Sequence, residues 1–233
     1  MSAPVDAVVF DLYGTLVPEF PRTAFYETVA HMAATLGADT AAFRAEWDRT
    51  AVGRQSGVYA GGMPGNLRAV CATLGMPTPS DDALEAALAP RAAMYRRWFH
   101  PREGSLEVLS ALRERSMPTA LISMCAPDTP AMWRASPLAG FVDAEVFSSE
   151  VGLRKPDAAI YRYATDRLGV SPEACLYCGD GAYGELTGAT AVGMRAYLIR
   201  PPDLNVAESL TPEREEDWRG PVVSDLRELL ALV

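Results

Sequence analysis

Four short stretches of the chain carry side chains that can do chemistry together. Asp11 opens the run Asp11-Leu-Tyr13-Gly-Thr15-Leu, and Ser123, followed by Met124, closes an apolar run. Lys155 opens Lys-Pro-Asp, and Asp180 follows Gly179, with Glu185 five residues further on. A carboxylate is a weak nucleophile, yet it attacks phosphorus or carbon when the surrounding charge is managed. Two carboxylates plus a main-chain carbonyl suit Mg²⁺, which prefers oxygen ligands. The metal and Lys155 would offset the charge of nucleophile and substrate. The Ser123 hydroxyl would hold one non-bridging oxygen, and such charge stabilisation is often the largest catalytic effect. The residue types describe an anion site with a divalent metal.

Lys155 stands out before any motif is considered. Of the 21 basic residues among 233, it is the only lysine. A compact ammonium and a guanidinium are not interchangeable against an anion, so its position marks a site. The remaining composition is that of an ordinary globular chain: 49 % hydrophobic, 22 % charged, net charge −9. The acidic balance argues against binding to nucleic acid or to an anionic membrane. No apolar stretch is long enough to span a bilayer, and the N-terminus lacks the basic start of a signal peptide. Four cysteines (71, 125, 175, 178) are too few and too irregular for a disulfide framework, so a reducing cytoplasm is expected. Cys175 and Cys178 read as a buried strand with side chains on opposite faces, not as a zinc site.

Six short apolar runs set the framework: 5–10, 118–122, 142–147, 175–178, 196–199 and 221–223. Most are separated by helical patterns, which predicts an α/β fold with βαβ units and a Rossmann-like parallel sheet. Residues 18–100 break the rhythm. They hold helical patterns at 23–36, 41–51, 66–74 and 80–98, with Gly- and Pro-rich loops at 57–65 and 75–79. The expectation is a helical insert after the first strand, with residues 1–17 and 101–233 forming the sheet core. Residues 201–220 read as a surface loop with a short helix, and a C-terminal helix is expected from 225. In an open parallel sheet, ligands bind beyond the carboxyl ends of the strands, where all four stretches fall.

Asp11-x-Tyr-Gly-Thr-Leu, Ser123 after a strand, Lys155-Pro-Asp and Gly179-Asp180-x4-Glu185, in that order, resemble the haloacid dehalogenase (HAD) superfamily. The likeness covers nearly the whole chain, and the insert resembles that superfamily's helical cap. It implies a hydrolase in which Asp11 is the nucleophile and water hydrolyses an aspartyl intermediate. Ser123 and Lys155 would bind the transferring group. Asp11, the carbonyl of Tyr13 and Asp180 would hold Mg²⁺, with Glu185 supporting the metal through a water. Thr15, Met124 and Tyr161 join them as substrate-binding candidates.

Tyr13 departs from the pattern. Phosphatases of the superfamily usually carry Asp there, as acid for the leaving group and base for water. Tyr resembles the 2-haloacid dehalogenases, whose halide needs no proton, and Tyr161 matches a dehalogenase active-site tyrosine. The acidic pair Asp180/Glu185 points the other way, because dehalogenases need no metal, and their Ser-Asn substrate clamp is Ser123-Met124 here. The leading reading is a Mg²⁺-dependent phosphatase acting on a small, anionic, phosphorylated metabolite through an aspartyl phosphate. The alternatives are a dehalogenase-type C–X hydrolase working through an aspartyl ester, and a catalytically weak HAD-like binding protein.

Plainer roles compete at several positions. Asp180 between two glycines suits a turn, and Glu185 suits a solvated first helical turn. Arg22, Arg44, Arg54 and Arg68 each read best as a solvated face of the insert. Phe25, Phe43, Trp47, Trp98 and Phe99 suit either a core or a homodimer surface.

Overall fold

The computed structural model describes residues 4–202, 209–210, 214–215 and 217–233. Six strands form one sheet: β1 (Ala7–Phe10), β2 (Thr119–Ser123), β3 (Ala144–Phe147), β4 (Cys175–Gly179), β5 (Arg195–Ile199) and β6 (Val222–Val223). Their order is β3-β2-β1-β4-β5-β6 and every pairing is parallel. The central strands are buried on both faces, as expected for a parallel sheet covered by helices. Side-chain alternation divides them cleanly. Val8, Phe10, Leu121, Leu176 and Cys178 join one apolar cluster, and Ala7, Val9, Ile122, Cys175 and Tyr177 join the other. Cys175 and Cys178 thus lie on opposite faces, and all four cysteines are free and buried.

Five helices lie between β1 and β2: α1 (Arg22–Thr35), α2 (Thr40–Arg49), α3 (Ala51–Gln55), α4 (Gly62–Thr73) and α5 (Asp81–Trp98). They have their own core of Val29, Met32, Phe43, Trp47, Leu67, Val70 and Leu84. Ser80 caps α5 by accepting from the Ala83 amide at 3.3 Å, with Asp81 and Asp82 in the first turn. Phe43, Trp47 and Phe99 pack inside the chain. The fourth helix starts four residues before the expected 66, because Pro64 sits in its first turn, where no amide donor is needed. The pattern expected over 41–51 ends at Arg49, and α3 follows as a separate turn.

After β2 come α7 (Thr129–Arg134), α8 (Ser148–Val151), α9 (Ala158–Leu168) and α10 (Glu185–Ala191), with α6 (Ser105–Glu114) preceding it. Helix α9 starts from Asp157, which accepts the Ala159 amide at 3.1 Å. The expected C-terminal α-helix is instead a 3₁₀ helix, Leu226–Ala231, capped by Asp225 and Glu228. Half of the loop expected over 201–220 lies outside the described residues. Where it is described it is not simply surface: Arg214 turns inward. Among the described residues, no helix is long and apolar enough to cross a membrane.

Candidate active site

The strand order reverses at β1, which has β2 on one side and β4 on the other. Open α/β sheets form their crevice at such a point. Asp11 follows β1, Ser123 ends β2, and Asp180 follows β4. Three strand ends therefore deliver three of the expected residues to one place. Lys155 arrives from the loop between α8 and α9, and Glu185 is the first residue of α10.

Lys155 Nζ donates to Asp11 Oδ1 and to Glu185 Oε2, each at 2.6 Å. Glu185 is fully buried, which removes the solvated reading. Its Oε2 also accepts from the Tyr177 hydroxyl at 2.7 Å, and its Oε1 accepts the Gly181 amide at 2.9 Å. Both oxygens are thus engaged in holding the ammonium and the loop. Thr15 Oγ1 donates to Asp11 Oδ2 at 3.1 Å, and Thr15 is fully buried. Its hydroxyl is committed to Asp11 and holds that carboxylate in place. Asp180 Oδ1 accepts the Ala182 amide at 3.1 Å.

Carboxylate oxygens of Asp11, Asp180 and Glu185 lie within 4.8 Å of one another. Burial, and then the charge of Glu185, raise the Asp11 carboxyl to about 7, against the opposing pull of Lys155. Burial raises Asp180 as well, with Glu185 and Asp11 adding to it. Burial alone would lower the Lys155 ammonium, but the two carboxylates outweigh it and keep the group charged. A crowd of buried carboxylates is a cation-seeking arrangement. The all-oxygen donors of Asp11 and Asp180 fit a hard divalent ion, whereas Glu185, saturated by three donors, fits the role of holding the cluster from behind.

Gly14 makes this cluster possible. Its φ of +81° is left-handed, and a Cβ there would lie 2.0 Å from Asp180 Oδ2. Gly14→Ala is expected to push Asp180 away and to cut turnover on the order of 10²-fold. Unchanged steady-state kinetics would show that the 13–15 turn can retreat without loss.

The cleft above Asp11 has a volume of about 200 Å³ and its lining includes Tyr13, Met124, Arg54, Arg91 and Tyr183. Tyr13 packs its ring against Phe20 and Phe99, and its hydroxyl pairs with Thr129 Oγ1 at 2.8 Å. Burial raises its phenol well above the usual value. Met124 lines the cleft, and its Sδ accepts the Lys155 amide at 3.4 Å. Tyr161 requires a correction. It is fully buried, its hydroxyl donates to the Glu185 carbonyl at 2.9 Å, and it stands behind Glu185 instead of facing the cleft. Its place on α9, packed edge-on to Tyr177, puts Glu185 between it and the opening.

Several residues were not legible from spacing. Tyr177 looked like strand core, and only the fold shows its hydroxyl on Glu185. Arg214 donates to Asp180 Oδ2 and pairs with Glu19 at 2.7 Å, and no sequence signal marks that reach. Arg44 and Arg68 are solvated as expected, but Arg54 is buried in the cleft wall. Arg91 is buried too, forked onto Asp128 across from the helical block.

The match to a family model, described as haloacid dehalogenase-like hydrolase, spans residues 5–193. A phosphoserine phosphatase from Thermus thermophilus is 32 % identical over 126 residues, which is 52 % of this chain and 46 % of that protein. A glyceraldehyde 3-phosphate phosphatase from Methanopyrus kandleri is 33 % identical over 93 residues, 40 % of this chain and 39 % of that one. The matches thus span less than half the length of these relatives. Among solved structures, a HAD phosphatase from Thermococcus onnurineus aligns over 98 % of this chain and 97 % of its own, with TM-score 0.67 and 18 % identity. An L-2-haloacid dehalogenase from Xanthobacter autotrophicus aligns over 98 % of both chains, with TM-score 0.61 and 20 % identity. At those identities the two structures share the fold with this chain, whereas the family match over most of its length, on a parallel sheet that gathers Asp11, Ser123, Lys155 and Asp180 at one edge, makes it a member of the haloacid dehalogenase-like hydrolases.

Proposed function

We propose that this hydrolase is a Mg²⁺-dependent phosphatase acting on a small phosphorylated metabolite, with residues 18–100 as a cap over the core of 1–17 and 101–233. The observation that carries the reading is the buried trio Asp11, Asp180 and Glu185 with its ligand atoms inside 4.8 Å. Displacing halide from carbon needs no such cluster. Mg²⁺, held by Asp11, the Tyr13 carbonyl and Asp180, would supply charge neutralisation at the phosphoryl oxygens.

This chain's own residues do the rest. An Asp11 carboxylate oxygen attacks phosphorus, the ester oxygen leaves with the bond's electron pair, and an aspartyl phosphate forms. Water then attacks that phosphorus, releasing phosphate and restoring the carboxylate. Lys155 keeps Asp11 aimed and balances its charge. Ser123 Oγ is fully buried and has no hydrogen-bond partner among the described residues, so its hydroxyl is free for a non-bridging oxygen. Tyr13 supplies no efficient proton transfer: its hydroxyl faces Thr129 and its phenol is a poor base. Aryl and acyl phosphates, which leave without a proton, are therefore expected to turn over at least about 10²-fold faster than alkyl phosphates.

Phosphate release from aryl, acyl and alkyl phosphates, with Mg²⁺ and with chelator, tests this. Release that survives chelation, or equal rates on alkyl and aryl esters, would sink the corresponding half of the proposal. A second reading has one observation in its favour, the tyrosine at position 13. Halide release from 2-haloacids in chelator, without phosphate release, would establish it.

A further inference from the structure

The cap side of the cleft holds an unbalanced cation. Arg54, on α3, is 5 % exposed and lines the cleft with Asp11. Its Nη1 donates to the Trp47 carbonyl at 2.8 Å and to Thr50 Oγ1 at 3.0 Å. The guanidinium carbon lies 3.8 Å from the centre of the Trp47 ring. Nε and Nη2 make no hydrogen bond among the described residues, and no carboxylate there forms an ion pair with Arg54. The neighbouring buried cations are all balanced. Lys155 has Asp11 and Glu185, Arg91 has Asp128, and Arg214 has Asp180 and Glu19. Burial, and then the charge of Arg91, lower Arg54 to about 10, which still leaves it charged at neutral pH. An arginine this buried without a carboxylate partner is rare, and Arg54 keeps two donors uncommitted. Here the unpaired edge belongs to a residue of the substrate cleft.

We infer that Arg54 seats a carboxylate at the far end of the substrate from its phosphoryl group, which makes the substrate class small phosphorylated carboxylic acids. This rests on the phosphatase reading above. A carboxylate fits better than a second phosphate for two reasons. One edge of the fork is already held by Trp47 and Thr50, and the other offers the planar pair of donors that a carboxylate takes. Asp48 lines the same cleft and repels a second doubly charged group more than a singly charged one. The volume of about 200 Å³ limits the linker between the two anions to a few carbons.

Calorimetric titration with inert phosphonates tests the assignment. Phosphonoacetate, 3-phosphonopropionate and 4-phosphonobutyrate are compared with alkylphosphonates of the same lengths, with Mg²⁺ present. At the best-fitting length the carboxylate is expected to tighten binding about 10-fold or more. That advantage is expected to vanish in Arg54→Gln and to survive in part in Arg54→Lys. Equal affinities at every length in the wild-type protein would overturn the inference, even if Arg54→Gln fails to fold. So would an advantage that Arg54→Gln leaves intact. If neither phosphonate series binds while propionate binds in an Arg54-dependent way, the carboxylate seat stands and the phosphatase reading falls. If propionate also fails to bind, the inference falls with it.

Discussion

Asp11→Asn is expected to fold normally and to lose turnover by on the order of 10³-fold or more. Asparagine keeps the size of the side chain and one oxygen for the Lys155 ammonium, now 2.6 Å from Oδ1. Its amide nitrogen faces Thr15 Oγ1, which can turn to accept where it now donates at 3.1 Å. Burial and Glu185 already oppose the charge of Asp11, so removing that charge relieves the fold as much as it weakens it. Lys155 keeps its second partner, Glu185. The change therefore acts on chemistry: an amide nitrogen does not form the proposed aspartyl intermediate. Single-turnover phosphate release and a melting curve measure the two effects separately. Activity within about 10-fold of wild type would remove Asp11 from the nucleophile's role. An unaltered partner-binding phenotype with abolished turnover would separate catalysis from the alternative in which the chain serves as a binding protein.

Lys155→Met is expected to damage both activity and stability. Methionine keeps most of the apolar stem but removes the cation between Asp11 and Glu185. Removing one partner of a buried pair costs about 3–5 kcal/mol, because the remaining charge stays buried without compensation. For a chain of this size that corresponds to a fall in melting temperature of about 10 °C. The pH dependence has a definite sign. Lys155 holds the Asp11 carboxyl down, so without it the folded-state value rises above about 7 while the unfolded value stays ordinary. The folded protein then binds the extra proton, and stability falls as pH rises from the unfolded to the folded value. In chelator, the deficit of Lys155→Met relative to wild type is expected to be small at pH 5 and larger at pH 8, by chemical denaturation. A deficit independent of pH would show that Lys155 stabilises by packing alone. Adding Glu185→Gln to Lys155→Met is expected to recover part of the stability at pH 8, since one of the stranded charges is gone.

The sheet was legible because its strands are short apolar runs broken by turns, and burial on both faces leaves that signature in the sequence. The helical insert was legible for the complementary reason: a long stretch with helical periodicity and no strand. Its details were less so. Helix α3 is five residues long, too short for a periodic signal. The start of α4 was masked by Gly62 and Pro64, which usually mark loops and here fill a first helical turn. The final helix is only six residues long and winds as 3₁₀, and a short apolar pattern does not distinguish that winding from an α-helix.

The sequence by itself located the candidate site. Asp11 and Asp180 follow strands, Ser123 ends one, Glu185 opens a helix and Lys155 lies in the loop before another, a spacing that parallel α/β topology converts into proximity, and the chain's only lysine falls among them. Tertiary structure alone decided what surrounds that set. Tyr161 and Tyr177 are both strongly apolar in pattern, yet their hydroxyls meet Glu185 from opposite ends of the residue, at its carbonyl and its carboxylate. Arg54 and Arg44 share one arginine-rich stretch of sequence, yet one is sealed in the cleft wall and the other is half in solvent. Arg214 is 34 residues from Asp180 and still pairs with it. Motif spacing records which residues a strand end delivers. It does not record which side of a helix faces a cleft formed by a separate block of chain, because that depends on how two cores pack against each other.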